Sequence, residues 1–592
     1  MQGNPMKRST PFLKLSLSVA VAVTLTLSAT PSPAGVSPEQ YAKLREETYE
    51  AAQGAVVSAA ADAMTNISAR FGEGQGELAG LVRRREALLN QINALRKQIQ
   101  RASETTGTSV EAVAQRARAR ALRDQEAALS LELDSLEKTI DERFPAYVEL
   151  TRPMPLKAAE TQALLDKDEA VLLIVPAPDG TYLWVVTRDG FDWARSSMKD
   201  EDVTAAVQTL RKALDPSTGT RGNVGMAGAT PAPTQSAADE APAFDRKTAF
   251  RLYSELIAPL EPKFRDKKVV FIATTGALQS LPFSVLVTAE PQGADTDRAY
   301  VRETQWLIDR YALVTLPAIS SLRTLRCLSA TTPHPGCGAG ARGSGKAAVK
   351  ATLAYAGLGG PALGGDVGES RGAEGWEQYS NGDLADTEKL RALAPLPGAE
   401  SEIGALATLF GRRGAFVRTR EQFTETLVKT NLDIRRADVL HFATHALMGG
   451  EGGSRGEPGL VLTPPAAGSA SSEDDGLLTA SEAAALDIQA SFVVLSACNT
   501  ARADGTLGAD GLSGLARSFF YAGARSLLVS HWPVDDKSTK ELMVSMFDGL
   551  TDTKVNRAVA LQQAILKVKA ETAFVEPRYW APFVLVGESR NK

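Results

Sequence analysis

Between residues 353 and 586 short apolar runs alternate with longer amphipathic stretches, and this pattern constrains the chain more than any other. Runs at 353–358, 415–418, 439–444, 491–497, 525–530 and 583–586 read as strands, and 400–410, 421–428 and 511–521 read as helices between them. Such alternation specifies a mostly parallel sheet covered by helices on both faces. Ligands of such sheets bind beyond the carboxyl ends of the strands. Three of the runs end in reactive side chains: 438–445 at His445, 492–498 at Cys498, and 525–531 at His531. If the strands are parallel, one thiol and two imidazoles share a single rim.

A thiol near neutral pH is mostly protonated, and an adjacent imidazole can take its proton and later return it to a leaving group. Cys498 as nucleophile and His445 as general base would supply this chemistry. Taken alone, a cysteine ending a buried strand is more often an inert small hydrophobe. His441, inside the apolar strand, is expected to be structural and hydrogen-bonded. His441 and His445 lack the Glu of a helical HExxH pattern and any further ligand cluster, so no metal and no cofactor are expected. Asp535 and Asp536 follow Trp532. A carboxylate there either favours a basic residue in a bound peptide or caps the next helix, 537–550. Asp536 is assigned to capping, Asp535 stays open, and Trp532 is a groove wall or core.

With 592 residues the chain is too long for one core. Short strands at 170–175 and 182–187, separated by Pro176, Pro178 and Asp179-Gly180, suit a hairpin, and 267–273 reads as a buried strand. Residues 215–244, rich in Pro, Ala, Gly, Ser and Thr, read as a disordered insertion, and 329–350 as a linker. Leu81, Leu88, Ile92, Leu95 and Ile99, then Leu122, Leu129, Leu133, Leu136 and Ile140, recur at helical spacing on either side of a break at 103–109. An antiparallel helical hairpin follows, either a packing element or a coiled coil that docks a protein partner. Lys and Arg total 65 against 70 acidic residues with no long basic block, which argues against nucleic acid.

Lys7, Arg8 and Lys14, the uncharged run 15–29 and the small residues Ser32 and Ala34 have the layout of a secretory signal peptide over 1–34. The apolar run is shorter than the roughly 20 residues of a bilayer span, so no stable membrane span is expected after its removal. An uncleaved anchor is the alternative. Export to the periplasm or the extracellular space would permit a Cys327–Cys337 disulfide, with three unpaired thiols as the other outcome.

Five motifs in one order are similar to those of the CHAT-domain family, caspase relatives often associated with tetratricopeptide repeats. They are LHFATHA at 440–446, VLSACNTA at 494–501, GLSGLARSFFYAGA at 511–524, WPVDD at 532–536 and RYWAPFVLVG at 578–587. FPAY at 144–147, YLWVVTRDG at 182–190, GALQSLPF at 276–283 and LPGAE at 396–400 look like the first half of the same module. The separation of 53 residues from His445 to Cys498 agrees with a caspase-type spacing, although the local caspase signature is absent. No tetratricopeptide repeat is recognisable.

The resemblance implies an α/β fold of two caspase-like lobes with mostly parallel sheets flanked by helices, behind the helical hairpin of 36–143. The first lobe, 144–328, would lack a dyad and the second, 351–592, would carry it. It further implies a cysteine endopeptidase acting on a protein or peptide substrate, with an oxyanion hole from the backbone N–H groups of Cys498 and Ala446. Caspases place Gly where Ala446 stands, and an alanine still supplies the N–H. Residues 449–475 have the composition of a mobile loop that gates the site or is clipped. A non-catalytic scaffold with the same fold is the rival from another class, and acyl transfer to an amine uses the same residues.

Overall fold

The computed structural model describes residues 37–56, single positions between 81 and 99, 110–143, 155–215, 242–327, 334–337, 353–365, 380–447 without 382, 383, 412 and 413, 458–497 without 467, 472, 487 and 489, and 514–591 without 552–554. Cys498, the leader region 1–34 and most of the expected insertion and linker lie outside the described residues.

In chain order the strands are β1 (Glu169–Ala177), β2 (Gly180–Thr187), β3 (Gly190–Ser196), β4 (Val269–Thr274), β5 (Ala312–Thr315), β6 (Leu353–Pro361), β7 (Ser380–Asn381) and β8 (Leu384–Ala385). They continue with β9 (Ala415–Arg420), β10 (Ala437–Ala443), β11 (Ala446–Leu447), β12 (Gly459–Val461), β13 (Leu477–Thr479), β14 (Phe492–Ser496), β15 (Ser526–Ser530) and β16 (Phe583–Gly587). Eleven of them form one sheet in the order β3-β2-β1-β4-β5-β16-β15-β14-β10-β6-β9. The mixed α/β class and mostly parallel sheet expected from the sequence are therefore present.

The two halves meet edge to edge in that sheet. β1, β4, β5 and β16 run parallel to one another, and β15, β14, β10, β6 and β9 form a second parallel set. β16 is parallel to β5 and antiparallel to β15, so it is the seam. The carboxyl ends of the two sets consequently face opposite rims. Strands buried on both faces need continuous apolar sequence, and FVVLS of β14 and SLLVS of β15 are buried at every position.

Helices cover both faces. Pro397–Phe410 lies over β6 and Asp536–Gly549 packs beside it, while Gly514–Ala522 covers the opposite face with Leu515, Ala516, Phe519 and Phe520 fully buried. A close approach made possible by glycine sets how low Pro397–Phe410 rides. A Cβ on Gly359 would stand 2.1 Å from the Ala443 carbonyl and 2.8 Å from Ile403 Cδ1.

The first helix, Pro38–Val56, is docked on the N-terminal half rather than standing with the hairpin. Gln53 donates to the Leu156 carbonyl (2.7 Å) and accepts from the Leu156 N–H (2.9 Å), and the Arg45 guanidinium lies 4.6 Å over the Phe191 ring. Arg84 and Arg85 pair with Glu132 and Glu137 of helix Val110–Arg143. Among the described residues no helix is long and apolar enough to cross a membrane.

Two expectations need correction. Asp215 and Phe244, the ends of the expected disordered insertion, are buried, Phe244 against Trp306. The expected mobile loop at 449–475 contains β12, which joins β11 and β13 in a small antiparallel sheet with Leu460, Val461 and Leu462 fully buried. The apolar run 459–462 inside that polar segment is the physical reason. The turn before β13 is fastened too, since the Asp475 and Gly476 N–H groups donate to the Glu425 carboxylate (2.8 and 3.1 Å). Of the two outcomes left open for the cysteines, Cys327 and Cys337 form the disulfide.

Candidate active site

Register aligns the three strand ends that the sequence singled out. Ala443 of β10 is opposite Ser496 of β14, and Val494 is opposite Leu528 of β15, which puts Ser496 level with Ser530. The Ser530 hydroxyl donates to the Ala497 carbonyl (2.5 Å), so β14 and β15 stay joined up to the rim. Ala497 is the last described residue before the chain reaches Cys498.

His445 follows β10 by two residues and is 1% exposed. Its main chain is fixed on one side by the Val461 N–H, which donates to the His445 carbonyl (2.9 Å), and by Thr444 Oγ1, which donates to the Val461 carbonyl (2.5 Å). Its imidazole Nε2 stands 2.8 Å from the Ala394 carbonyl oxygen. A carbonyl can only accept, so Nε2 carries the proton and, in the neutral ring, Nδ1 carries the lone pair. This is the tautomer a general base needs at Nδ1.

Ala394 was invisible to sequence reasoning because a main-chain oxygen leaves no residue-type signature. The one available signal is Pro395, which biases the preceding residue toward extended backbone. The segment is strapped in place: the Gly364 N–H donates to the Arg391 carbonyl (2.7 Å) and the Gly365 N–H to the Leu393 carbonyl (3.1 Å).

Ala446 opens β11, where it is opposite Leu460. The bond from the Val461 N–H to the His445 carbonyl makes this a non-hydrogen-bonded pair of the antiparallel ladder, so the Ala446 N–H points away from β12.

Two of the other site residues have structural employment. Asp535, not Asp536, is the N-cap of Asp536–Gly549, its carboxylate accepting the Ser538 N–H at 2.8 Å. The Trp532 side chain is core rather than groove wall: it is 1% exposed, and its indole N–H donates to the Arg578 carbonyl (2.9 Å). The cap is thus one residue earlier than expected, and Trp532 takes the core alternative of the two left open for it.

His531 follows β15 beneath the surface, its Nδ1 without a hydrogen-bond partner among the described residues. Burial, then the nearby Arg211 guanidinium, depresses its pKa to about 3, so the ring stays neutral. Arg211 donates to both the His531 carbonyl (3.1 Å) and the Ser280 carbonyl (3.0 Å), tying this rim to the N-terminal half.

His441 is fully buried among polar partners, as its structural reading expects. Its Nδ1 is 2.9 Å from Tyr355 Oη, and its Nε2 is 3.0 Å from Glu402 Oε1, a close electrostatic contact that lies off the hydrogen-bond axis. Glu402 was missed, although a carboxylate on the stripe Ala399, Ile403 and Leu406 of an otherwise apolar helix face was a usable signal. Among the described residues no group of three or more His, Cys, Asp or Glu side chains could hold a metal.

Comparison with known proteins bears on the whole module. Mouse (Mus musculus) tetratricopeptide repeat protein 28 is 27% identical over 378 residues, covering 57% of this chain and 13% of that protein. The human (Homo sapiens) protein of the same name is 25% identical over 404 residues, covering 60% and 14%. The chain thus spans about a seventh of the length of these curated relatives. Among solved structures, the chain is similar to the Saccharomyces cerevisiae separase–securin complex, with a TM-score of 0.38, 11% identity, and coverage of 82% of this chain and 34% of that one. For the Arg-specific cysteine proteinase gingipain R the TM-score is 0.33, the identity 10%, and the coverage 72% and 78%. The model of the CHAT domain matches residues 246–588, more than half of the sequence, and the chain therefore belongs to the CHAT-domain family.

Proposed function

We propose that the chain is a cysteine endopeptidase in which Cys498 attacks a peptide carbonyl and His445 manages the proton. The observation that carries this reading is the His445 imidazole, fixed by the Ala394 carbonyl in the Nε2–H tautomer, on a strand end level with the end of β14. That tautomer leaves Nδ1 to take the thiol proton. Attack forms a carbon–sulfur bond and a tetrahedral oxyanion, and the N–H groups of Cys498 and Ala446 are suited to hold it. The imidazolium then gives its proton to the departing amine, and water, deprotonated by the same ring, releases the acid from the thioester.

Membership of the CHAT-domain family agrees with this chemistry. Asp535 caps a helix, and we assign no preference for a basic side chain. The leader pattern of residues 1–34 and the Cys327–Cys337 disulfide support export to an oxidising space. Helix Val110–Arg143 is the candidate surface for a protein partner.

The test is cleavage of a peptide library by the purified chain beside its Cys498→Ala variant. Turnover confined to the parent chain is expected. Equal cleavage by both refutes the mechanism, and a variant that retains every biological effect of the parent leaves a binding scaffold as the better description.

A further inference from the structure

We propose that Tyr355, His441 and Glu402 form a buried clamp that positions the Ala394 carbonyl against His445, which makes the three of them positioning residues for the base. The proposal rests on His445 being that base.

Each member comes from a different element: Tyr355 from β6, His441 from β10, and Glu402 from the helix Pro397–Phe410 that begins three residues after Ala394. All three are fully buried. Their meeting depends on a missing side chain. Gly357 is the register partner of His441, and a Cβ there would stand 2.6 Å from Tyr355 Oη and 2.8 Å from Ile403 Cγ2. The phenol therefore crosses over Gly357 to reach the imidazole.

The polarity of the trio has a direction. Burial, and after it the Glu402 charge, hold the Tyr355 phenol well above its ordinary pKa, so it keeps its proton and donates to Nδ1. The Nε2–H is then on the side of Glu402 Oε1, 3.0 Å away though off the hydrogen-bond axis.

Stability alone does not account for such an arrangement. Burying a carboxylate, an imidazole and a phenol together is costly, and apolar residues of the same volume would hold the helix at least as well. What the trio adds is register. An apolar contact tolerates sliding of the helix along β10, whereas the 3.0 Å contact of Glu402 with the His441 ring, which Tyr355 holds from its other side at 2.9 Å, resists it. Tyr355 also stacks on Phe410 at the far end of the helix, with centroids 4.9 Å apart. At its near end Leu396, Ala399 and Ile403 pack against Ala443. With the helix unable to slide, Ala394 is held 2.8 Å from His445 Nε2, four residues along the chain from His441.

The experiment uses the full chain labelled with 13C at histidine Cε1, where only four histidines contribute signals. Tyr355→Phe keeps the stack on Phe410 and removes only the hydroxyl, and Glu402→Gln removes the charge. The expected result is that both variants move the His445 signal and its titration midpoint. Both also lower kcat, by roughly 10- to 100-fold for Glu402→Gln and less for Tyr355→Phe, with KM within about two-fold of the parent.

Folded variants whose His445 signal, midpoint and kcat match the parent overturn the proposal. So does an unfolded Glu402→Gln accompanied by a Tyr355→Phe that is unchanged in all three, since the trio is then a stability device. A parent chain that cleaves no peptide refutes the dyad reading instead, and the His445 signal still decides whether the clamp sets the ring.

Discussion

Two sets of buried polar groups, one at the seam and outer side of the N-terminal half and one in the C-terminal half, are built in opposite ways. At the outer side of the N-terminal half and at the seam, charges are matched to charges. Arg326 pairs with Glu169 of β1 and with Glu588 just past β16, and Arg310 and two tyrosines, Tyr253 and Tyr311, surround Glu261. In the C-terminal half one such set runs in a line from Tyr355 through His441 to Glu402, and beyond it lies His445 at the rim. A saturated cluster holds elements together, whereas a polar line beside an apolar helix face fixes where one element stops against another. The first kind of cluster should report on stability and the second on turnover.

The largest expected effect breaks the rim itself. His445→Ala should lower peptide turnover by on the order of 10^3-fold or more, with thermal unfolding close to the parent's, measured on the same preparation. A cut at the seam should do the reverse. Arg326→Ala leaves Glu169 and Glu588 without their guanidinium and should cost about 3–5 kcal/mol in denaturant unfolding, with little change in kcat per folded molecule.

The same cluster has an acid signature. Burial alone would raise the Glu588 carboxyl, but Arg326, through its charge and hydrogen bonds, and Arg590 outweigh burial and hold it at about 2. A depressed carboxyl contributes stability above its unfolded value of 4.5 that is lost as pH falls toward 2. Urea midpoints measured from pH 5 to pH 2.5 should therefore fall less steeply in Arg326→Ala than in the parent.

Intermediate between the two is Gly357→Ala, which pushes a methyl into Tyr355 and Ile403. It should cost about 1–3 kcal/mol and also reduce turnover, joining the two readouts that the other variants separate. Smallest is Asp535→Ala, for which loss of the cap predicts about 1 kcal/mol and an unaltered preference at the cleavage site in the peptide library. A changed preference would return Asp535 to the substrate groove.

Much of the C-terminal half was legible because its strands are apolar on both faces and end where the chemistry begins. His445 stood out as an imidazole at the end of such a run. What escaped was of three kinds. The Ala394 oxygen belongs to the main chain, which every residue has. Glu402 and Tyr355 lie 39 and 86 residues upstream of His441, and only the packed helix shows that they meet. β12 was hidden by composition, since residues 459–462 are a short apolar island in a Gly-, Ser- and Pro-rich stretch. For Asp535 and Asp536 the chemistry of capping was right and the position was off by one, which is the usual uncertainty of helix boundaries.

β16 has a further consequence. It is the last described strand in the sequence and yet occupies the middle of the sheet, between β5 and β15. On a ribosome, β5 and β15 are both exposed to solvent along one edge until residues 583–587 have emerged. A sheet whose central member is made last closes through contacts of long sequence separation, and folding of that kind is slow. The nascent chain thus carries His445 and Cys498 well before it owns the strand that joins their half of the sheet to the other, so the order of synthesis itself delays completion of the rim.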